Sequence, residues 1–226
     1  MIAPRLAGAL LVLCPFTAIA NPAPESPAEV VRRTTQVMTP AHLACHVETD
    51  VQVFDKSGKP TDHIVIRSEE IRTGATRDER LLSVLKNGKD ETAEAEAKRK
   101  KDKAKKKDEE LTDPFVEGGA SHYEFRIIGR EMLWQHPVIV MKITAREKKP
   151  ALVDGTAWID AERYLVLKSE YEHAKLPDHV HWMKMQSQSE MREGKAVPTL
   201  FKVDGAGGFL LIERSFNSIS RWHDCK

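Results

Sequence analysis

The residues that could do chemistry are few and scattered. His179-Val180-His181 puts two imidazoles two positions apart. On a strand that spacing shares a face, so both rings could reach one metal ion. No third ligand follows from the sequence. His46 and Glu48 share a face in the same way, which suits a solvent-facing edge equally well. The carboxylate pairs Glu69-Glu70 and Asp108-Glu109 sit in charge-rich surroundings, whereas an acid–base pair needs one carboxyl in an apolar pocket. There is no HExxH, GxSxG, CxxC or glycine-rich phosphate loop, and no serine is singled out by a His/Asp arrangement. The expectation is a protein that is not an enzyme, with no catalytic residue, no metal and no cofactor.

The cysteines depend on the compartment, which the first 20 residues address. Arg5 gives a positive start, Leu6 to Ala18 are almost all apolar or small, and Ala18-Ile19-Ala20 precedes the polar Asn21-Pro22. This pattern predicts a secretory signal peptide over 1–20, cleaved after Ala20, and a periplasmic or secreted protein. The apolar run is too short to span a bilayer. Of 3 cysteines, Cys14 lies inside that run behind the non-small Leu13, so it leaves with the signal and carries no lipid anchor. Cys45 and Cys225 remain, an even pair in an oxidising compartment. One disulfide joining the first strand to the C-terminus is expected, with two free thiols as the alternative. Such a long closed loop stabilises by about 4–5 kcal/mol in the chain-entropy account.

Size and charge narrow the class further. Residues 21–226 suit a single domain, since β sandwiches and barrels reach that length. The formal net charge is +1, which argues for no nucleic-acid partner. Much of the charge is concentrated between Lys86 and Asp113.

The elements that must position any site read clearly in places. Asn21 to Glu25 is a Pro-rich leader. Ser26 as N-cap, Pro27 at the first helical position and Glu29 at the third predict a helix start. Val30, Val31, Thr34, Val37 and Met38 then fall on one face, and Pro40 ends the helix. From Leu43 the period becomes two, with Cys45, Val47, Thr49, Val51 and Val53 on one face. A turn at 55–60 leads to a returning strand from His63 to Ile71, and Glu79 to Leu85 gives a third. Later strands are expected over 121–130, 138–146, 155–160, 164–171, 179–192, 199–203 and 209–222. That makes about ten strands, mostly antiparallel because the connections are short.

The segment 89–113 is an insertion of a different kind. It is mostly Ala, Glu, Asp, Lys and Arg, with no apolar stripe, which predicts an exposed charged helix. Its basic stretch from Lys98 to Lys107 would suit an anionic membrane surface. Solvated charge explains it as well. No aromatic interleaves the run, so base stacking is not supported.

The remaining signal is apolar. Phe125, Ile127, Ile139, Met141, Ile143, Leu165, Leu167, Met183, Met185, Leu210 and Ile212 lie at alternating strand positions, with Phe216 beyond them, and Trp158 and Trp182 occupy further stretches. An ordinary sheet core accounts for such a pattern. A curved sheet whose concave face holds an apolar ligand under a helix accounts for it too. The flexible Met183 and Met185 would suit varied chains.

Two paired-strand modules carry a family resemblance. One is Tyr123-Glu124-Phe125-Arg126-Ile127-Ile128-Gly129-Arg130-Glu131 followed by His136-Pro137-Val138-Ile139-Val140-Met141. The other is Gly155-Thr156-Ala157-Trp158-Ile159-Asp160, a turn, then Leu165-Val166-Leu167-Lys168-Ser169-Glu170. Both resemble LolA-like periplasmic proteins of the outer-membrane lipoprotein-sorting, lipoprotein-carrier superfamily. The resemblance runs from about Ala28 to the end and is interrupted by the charged insertion. It implies a mainly β (α+β) fold, an open antiparallel half-barrel wrapped over the N-terminal helix. It further implies non-catalytic binding of lipid or of lipoprotein acyl chains. The same fold also implies an alternative, an envelope protein-interaction or stress-sensing module. The candidate lipid cavity is then the apolar set from Phe125 to Ile212 with Trp158, and the partner a lipid or lipidated protein.

Overall fold

The first helix begins where its capping residues place it. Helix α1 (Pro27–Met38) has Ser26 as N-cap, whose hydroxyl accepts from the Glu29 backbone N–H at 3.3 Å. That bond satisfies one of the four donors a helix start leaves open. The computed structural model describes residues 25–39, 42–74, 76–103, 111–193, 195–209 and 212–226. The expected signal peptide and its cleavage point lie outside the described residues.

Period-two patterning then produces one antiparallel sheet. The first wing is β1 (Leu43–Asp55), β2 (Pro60–Thr73), β3 (Thr76–Lys86) and the two-residue β4 (Lys89–Asp90). The second is β5 (Tyr123–Leu133), β6 (His136–Ala145), β7 (Val153–Asp160), β8 (Val166–His173), β9 (Val180–Arg192), β10 (Lys195–Phe209) and β11 (Ile212–His223). The spatial order is β4-β3-β2-β1-β11-β10-β9-β8-β7-β6-β5. Nearly every neighbouring pair is therefore a hairpin. One pair joins the wings: β1 against β11, from His46 opposite His223 to Asp55 opposite Arg214. The sheet stays open, with β4 and β5 at its edges. This is the mainly β half-barrel expected, with eleven strands among the described residues.

The extra strand and shifted ends have local causes. β4 is too short to carry a period and pairs with β3 only at Leu85–Asp90 and Lys86–Lys89. β10 starts at Lys195 and runs through Pro198, where the register against β9 shifts. A proline is tolerated at such an irregularity because its missing N–H falls where the ladder is already broken.

The cysteine pair closes the seam between the wings. Cys45 and Cys225 are bonded, with Cα atoms 4.2 Å apart. Beside them Ala44 and Lys226 exchange backbone hydrogen bonds of 3.1 and 2.9 Å. Leu43, Val47, Val197 and Trp222 pack around the bridge.

Helix α1 covers the second wing. Val30 and Val31 meet Ile139, Met141, Ile143, Ala157, Ile159 and Val166 in the main buried cluster. Val138 and Val140 are also buried, in a separate group with Leu165 and Leu167, so Val138 through Met141 form a continuous buried run rather than an alternation. Outside the cluster, Arg33 lies 4.9 Å over the Tyr164 ring and donates to its hydroxyl at 2.9 Å. Those contacts fix the helix lengthwise against the β7–β8 turn.

The charged insertion forms helix α2 (Thr92–Lys103) as far as it is described. It rests on β3 through Arg99, whose guanidinium donates to the Glu79 carbonyl at 2.7 Å and pairs with its carboxylate at 3.4 Å. Lys98, Lys100 and Lys101 are exposed. Lys105 to Lys107 lie outside the described residues.

Candidate functional site

The chain must cross from the first wing to the far edge of the second, and it does so over the sheet. Residues 111–118 form this crossing strap. Phe115 anchors it: the side chain is buried in the main cluster, its ring 5.9 Å from that of Phe125. Tyr123 donates its hydroxyl to the Thr112 carbonyl at 2.5 Å, and the Thr112 N–H bonds Ala151 at 2.8 Å. Gly119 is needed behind the strap, because a Cβ there would stand 2.0 Å from the Asp113 carbonyl oxygen. Burial pushes the Tyr123 hydroxyl up to about 12 and the Tyr171 hydroxyl well above its usual range. Both phenols therefore stay neutral and act as hydrogen-bonding groups.

Between strap, helix end and sheet runs a groove of about 280 Å³. Its apolar wall includes Met38 of α1, Val47, Val153, Met185, Phe201 and Trp222. Both wings and the strap contribute, so the groove exists only once the seam has formed. It is just below the range of small-molecule sites, roughly 300–1,000 Å³.

The wall on β2 and β3 is polar. Glu70 is 1% exposed and meets Arg72 Nε at 2.5 Å and Arg77 Nη2 at 2.8 Å. The Arg77 contact is a charge pair without hydrogen-bond geometry, so Glu70 Oε2 has no hydrogen bond among the described residues. Trp222 Nε1 is also buried with no hydrogen-bond partner among them. Ser187 and Ser220 line the groove as well, but their hydroxyls are engaged by Ser169 at 2.6 Å and Thr49 at 2.8 Å.

A second, open groove of about 800 Å³ lies between α1 and the start of β5. Val31, Ala120, Tyr123 and Phe125 line it, with Arg32 and Arg146 at the rim. Both arginines are engaged, Arg32 with Glu29 at 2.8 Å and Arg146 with Glu124 at 3.1 Å.

The apolar residues singled out by pattern are distributed over several places. Ile139, Met141 and Ile143 are fully buried beneath Val30 and Val31. Ile127 and Phe125 pack against that cluster, and Phe125 also reaches the open groove. Met185 belongs to both the cluster and the inner groove. Leu165 and Leu167 belong to the separate buried group. Trp158 at its margin is covered by Lys168, 4.6 Å from the ring, and donates to Glu131 at 2.7 Å. Met183 is half-buried opposite Gly205. Leu210 lies outside the described residues, as does the side chain of Ile212.

Sequence reasoning missed Met38, Phe201, Trp222 and the Glu70–Arg72–Arg77 group as groove residues. One signal was available. Ser68, Glu70 and Arg72 share a strand face, and β1 turns Cys45 and Val47 inward opposite Glu70 and Ser68. A carboxylate at an inward position, flanked by arginine, marks a buried charge that needs partners. His179 lies just before β9 and His181 at its start, and among the described residues no group of three His, Cys, Asp or Glu could hold a metal ion. No described helix is long and apolar enough to cross a membrane.

No family model and no curated protein matches the sequence. Several solved structures are similar to it. A LolA superfamily protein from Nitrosomonas europaea aligns at 10% identity over 90% of this chain and 94% of its own, with a TM-score of 0.40. An outer membrane lipoprotein-sorting protein domain from Vibrio parahaemolyticus aligns at 11% identity over 88% and 91%, with a TM-score of 0.46. The Pseudomonas aeruginosa MucA/MucB complex contains a chain aligning at 12% identity over 88% and 94%, with a TM-score of 0.29.

Proposed function

We propose that this chain is a non-catalytic periplasmic binding protein that holds a lipid, or the acyl chain of a lipidated partner, in the groove under α1 and the strap. Its task on this reading is to sort lipids or lipoproteins toward the outer membrane. The observation that carries the reading is the groove itself, whose apolar lining is drawn from both wings and the strap. Ordinary packing interdigitates side chains to crystal density and leaves few voids larger than a water molecule. The secretory signal pattern and the two LolA-like strand modules support the same reading. Exposed Lys98, Lys100 and Lys101 on α2 suit brief contact with an anionic membrane surface.

The test is native mass spectrometry of the mature protein from a bacterial periplasm, followed by lipid extraction. A mass excess matching phospholipid or acyl chains is expected. A bare mass, with nothing taken up from added micelles, overturns the proposal.

One observation favours a second reading, a protein-interaction module. β5 is an edge strand, and Ile128, Met132 and Trp134 on and just beyond it are 49%, 66% and 54% exposed. Exposed edges of this kind accept an added strand. A stoichiometric protein partner isolated with an empty groove would establish that reading instead.

A further inference from the structure

The polar wall of the inner groove has too many donors for its acceptors. Arg72 and Arg77 stand directly opposite each other in the β2–β3 register. Like charges in that position repel, and the single carboxylate of Glu70 lies between them. Glu79, opposite Glu70, is held by Arg99 from α2. Asp113 on the strap lines the same groove, but it accepts from the Phe115 N–H at 2.8 Å and forms no ion pair with Arg72 or Arg77. The remaining guanidinium N–H groups of Arg72 and Arg77 have no hydrogen-bond acceptor among the described residues. Arg72 is 28% and Arg77 51% exposed on the side-chain scale, so both remain accessible to a ligand.

The buried indole of Trp222 adds a second and independent requirement. Its side chain lines the same groove, and its buried N–H is unpartnered among the described residues. A buried donor left open costs free energy, and an oxygen from a bound molecule would remove that cost. Donors thus line the groove at two points, and apolar surface from Met38, Val153, Met185 and Phe201 completes it. The small volume leaves room for one chain rather than several.

We propose that the groove takes a single-chain amphiphile headed by an oxyanion, with its head at Arg72 and Arg77 and an oxygen accepting from Trp222 Nε1. Guanidinium groups recognise carboxylate and phosphate alike through paired N–H donors. A fatty-acid carboxylate and a lysophospholipid phosphate therefore share the required chemistry. This assignment rests on the groove-binding reading above and narrows it to a ligand class.

The experiment is calorimetric titration of the delipidated mature protein with palmitate, palmitoyl-lysophosphatidylglycerol and neutral monopalmitin, each below its micelle concentration. The expected result is that at least one anionic probe binds about tenfold or more tighter than monopalmitin. Binding of palmitate alone assigns a carboxylate head, binding of the lysophospholipid alone a phosphate head, and binding of both the shared oxyanion. Arg77→Gln should bring the anionic probes down to the level that monopalmitin shows on the same variant. Trp222→Phe keeps a large ring and removes the N–H, and should weaken the anionic probes several-fold. If monopalmitin binds as tightly as the anions to the unaltered protein, the oxyanion assignment is overturned while the groove reading survives. If no probe binds, both fall. The comparison of head groups uses the unaltered chain, so it decides the matter even if a variant fails to fold.

Discussion

The two wings of the sheet have the same kind of strand and opposite interiors. On β6 and β7, inward positions carry Ile139, Met141, Ile143, Ala157 and Ile159, all closed over by α1. On β2 and β3, inward positions include Ser68, Glu70, Arg72 and Arg77, partly roofed by the strap. The dry wing is ordered chiefly by burying apolar area. The wet wing keeps a buried carboxylate that is stable only because two guanidiniums surround it. Burying ions in this way seldom adds net stability, so Glu70 and its arginines are better explained by what they could hold than by what they stabilise.

The comparison breaks first at the seam. Cys45→Ser with Cys225→Ser removes the bridge across a sequence separation of 180, and should cost about 5 kcal/mol in the chain-entropy account. Urea unfolding of oxidised and doubly substituted protein measures it. Both wings should unfold together if the seam couples them. Separate transitions for the two wings would show that they are independent units.

Within the wings the predicted effects differ in kind. Ile143→Ala in the dry wing should cost about 2–5 kcal/mol through lost burial and a residual cavity, with lipid affinity of the folded fraction unchanged. Glu70→Ala should cost about 1–3 kcal/mol through the lost charge-assisted hydrogen bond, because Arg72 and Arg77, left unpaired, are partly solvated. Replacing Glu70, Arg72 and Arg77 together by Met, Leu and Leu should be close to neutral or stabilising, since burying ions seldom adds net stability, and should abolish any preference for anionic ligands. A triple variant as unstable as Glu70→Ala would show that the wet wing is structural. At the helix end, Ser26→Ala removes the cap to Glu29 N–H and should cost about 1 kcal/mol, read from the thermal midpoint.

How much of this was legible in the sequence follows from what periodicity encodes. The Ser26-Pro27-Glu29 start, the β1–β2 hairpin and the Cys45–Cys225 bridge were all readable, because each depends on local spacing or on the compartment. Period two reports which face a residue occupies, not how deep it lies. Ile143 and Phe201 look alike in the sequence, yet the first lies sealed under Val30 and Val31 and the second borders the groove. The difference is set by where α1 and the strap lie, through contacts more than 100 positions apart such as Arg33 with Tyr164, separated by 131. Glu70 reads as solvated surface beside Glu69 and Arg67, yet the structure buries it. Whether a charged strand position faces in is decided by the strap and the opposite wing, not by its neighbours in sequence.

The finest test of the comparison is the sign of a pH effect. Asp154, at the start of β7, loses solvation to burial, but the Lys148 ammonium at 2.6 Å and the Ala145 N–H at 2.7 Å outweigh that and hold its carboxyl below the usual range. A lowered folded value means the unfolded state binds more protons, so this contribution is present above the unfolded pKa and is lost as pH falls through the folded one. Asp154→Asn should match the parent at low pH and fall below it as pH rises. Urea midpoints between pH 3 and pH 7, spanning the usual carboxylate range upward, measure it. A variant that tracks the parent at every pH would mean that Asp154 is not charge-paired in the fold, and the second wing would then owe nothing to charge.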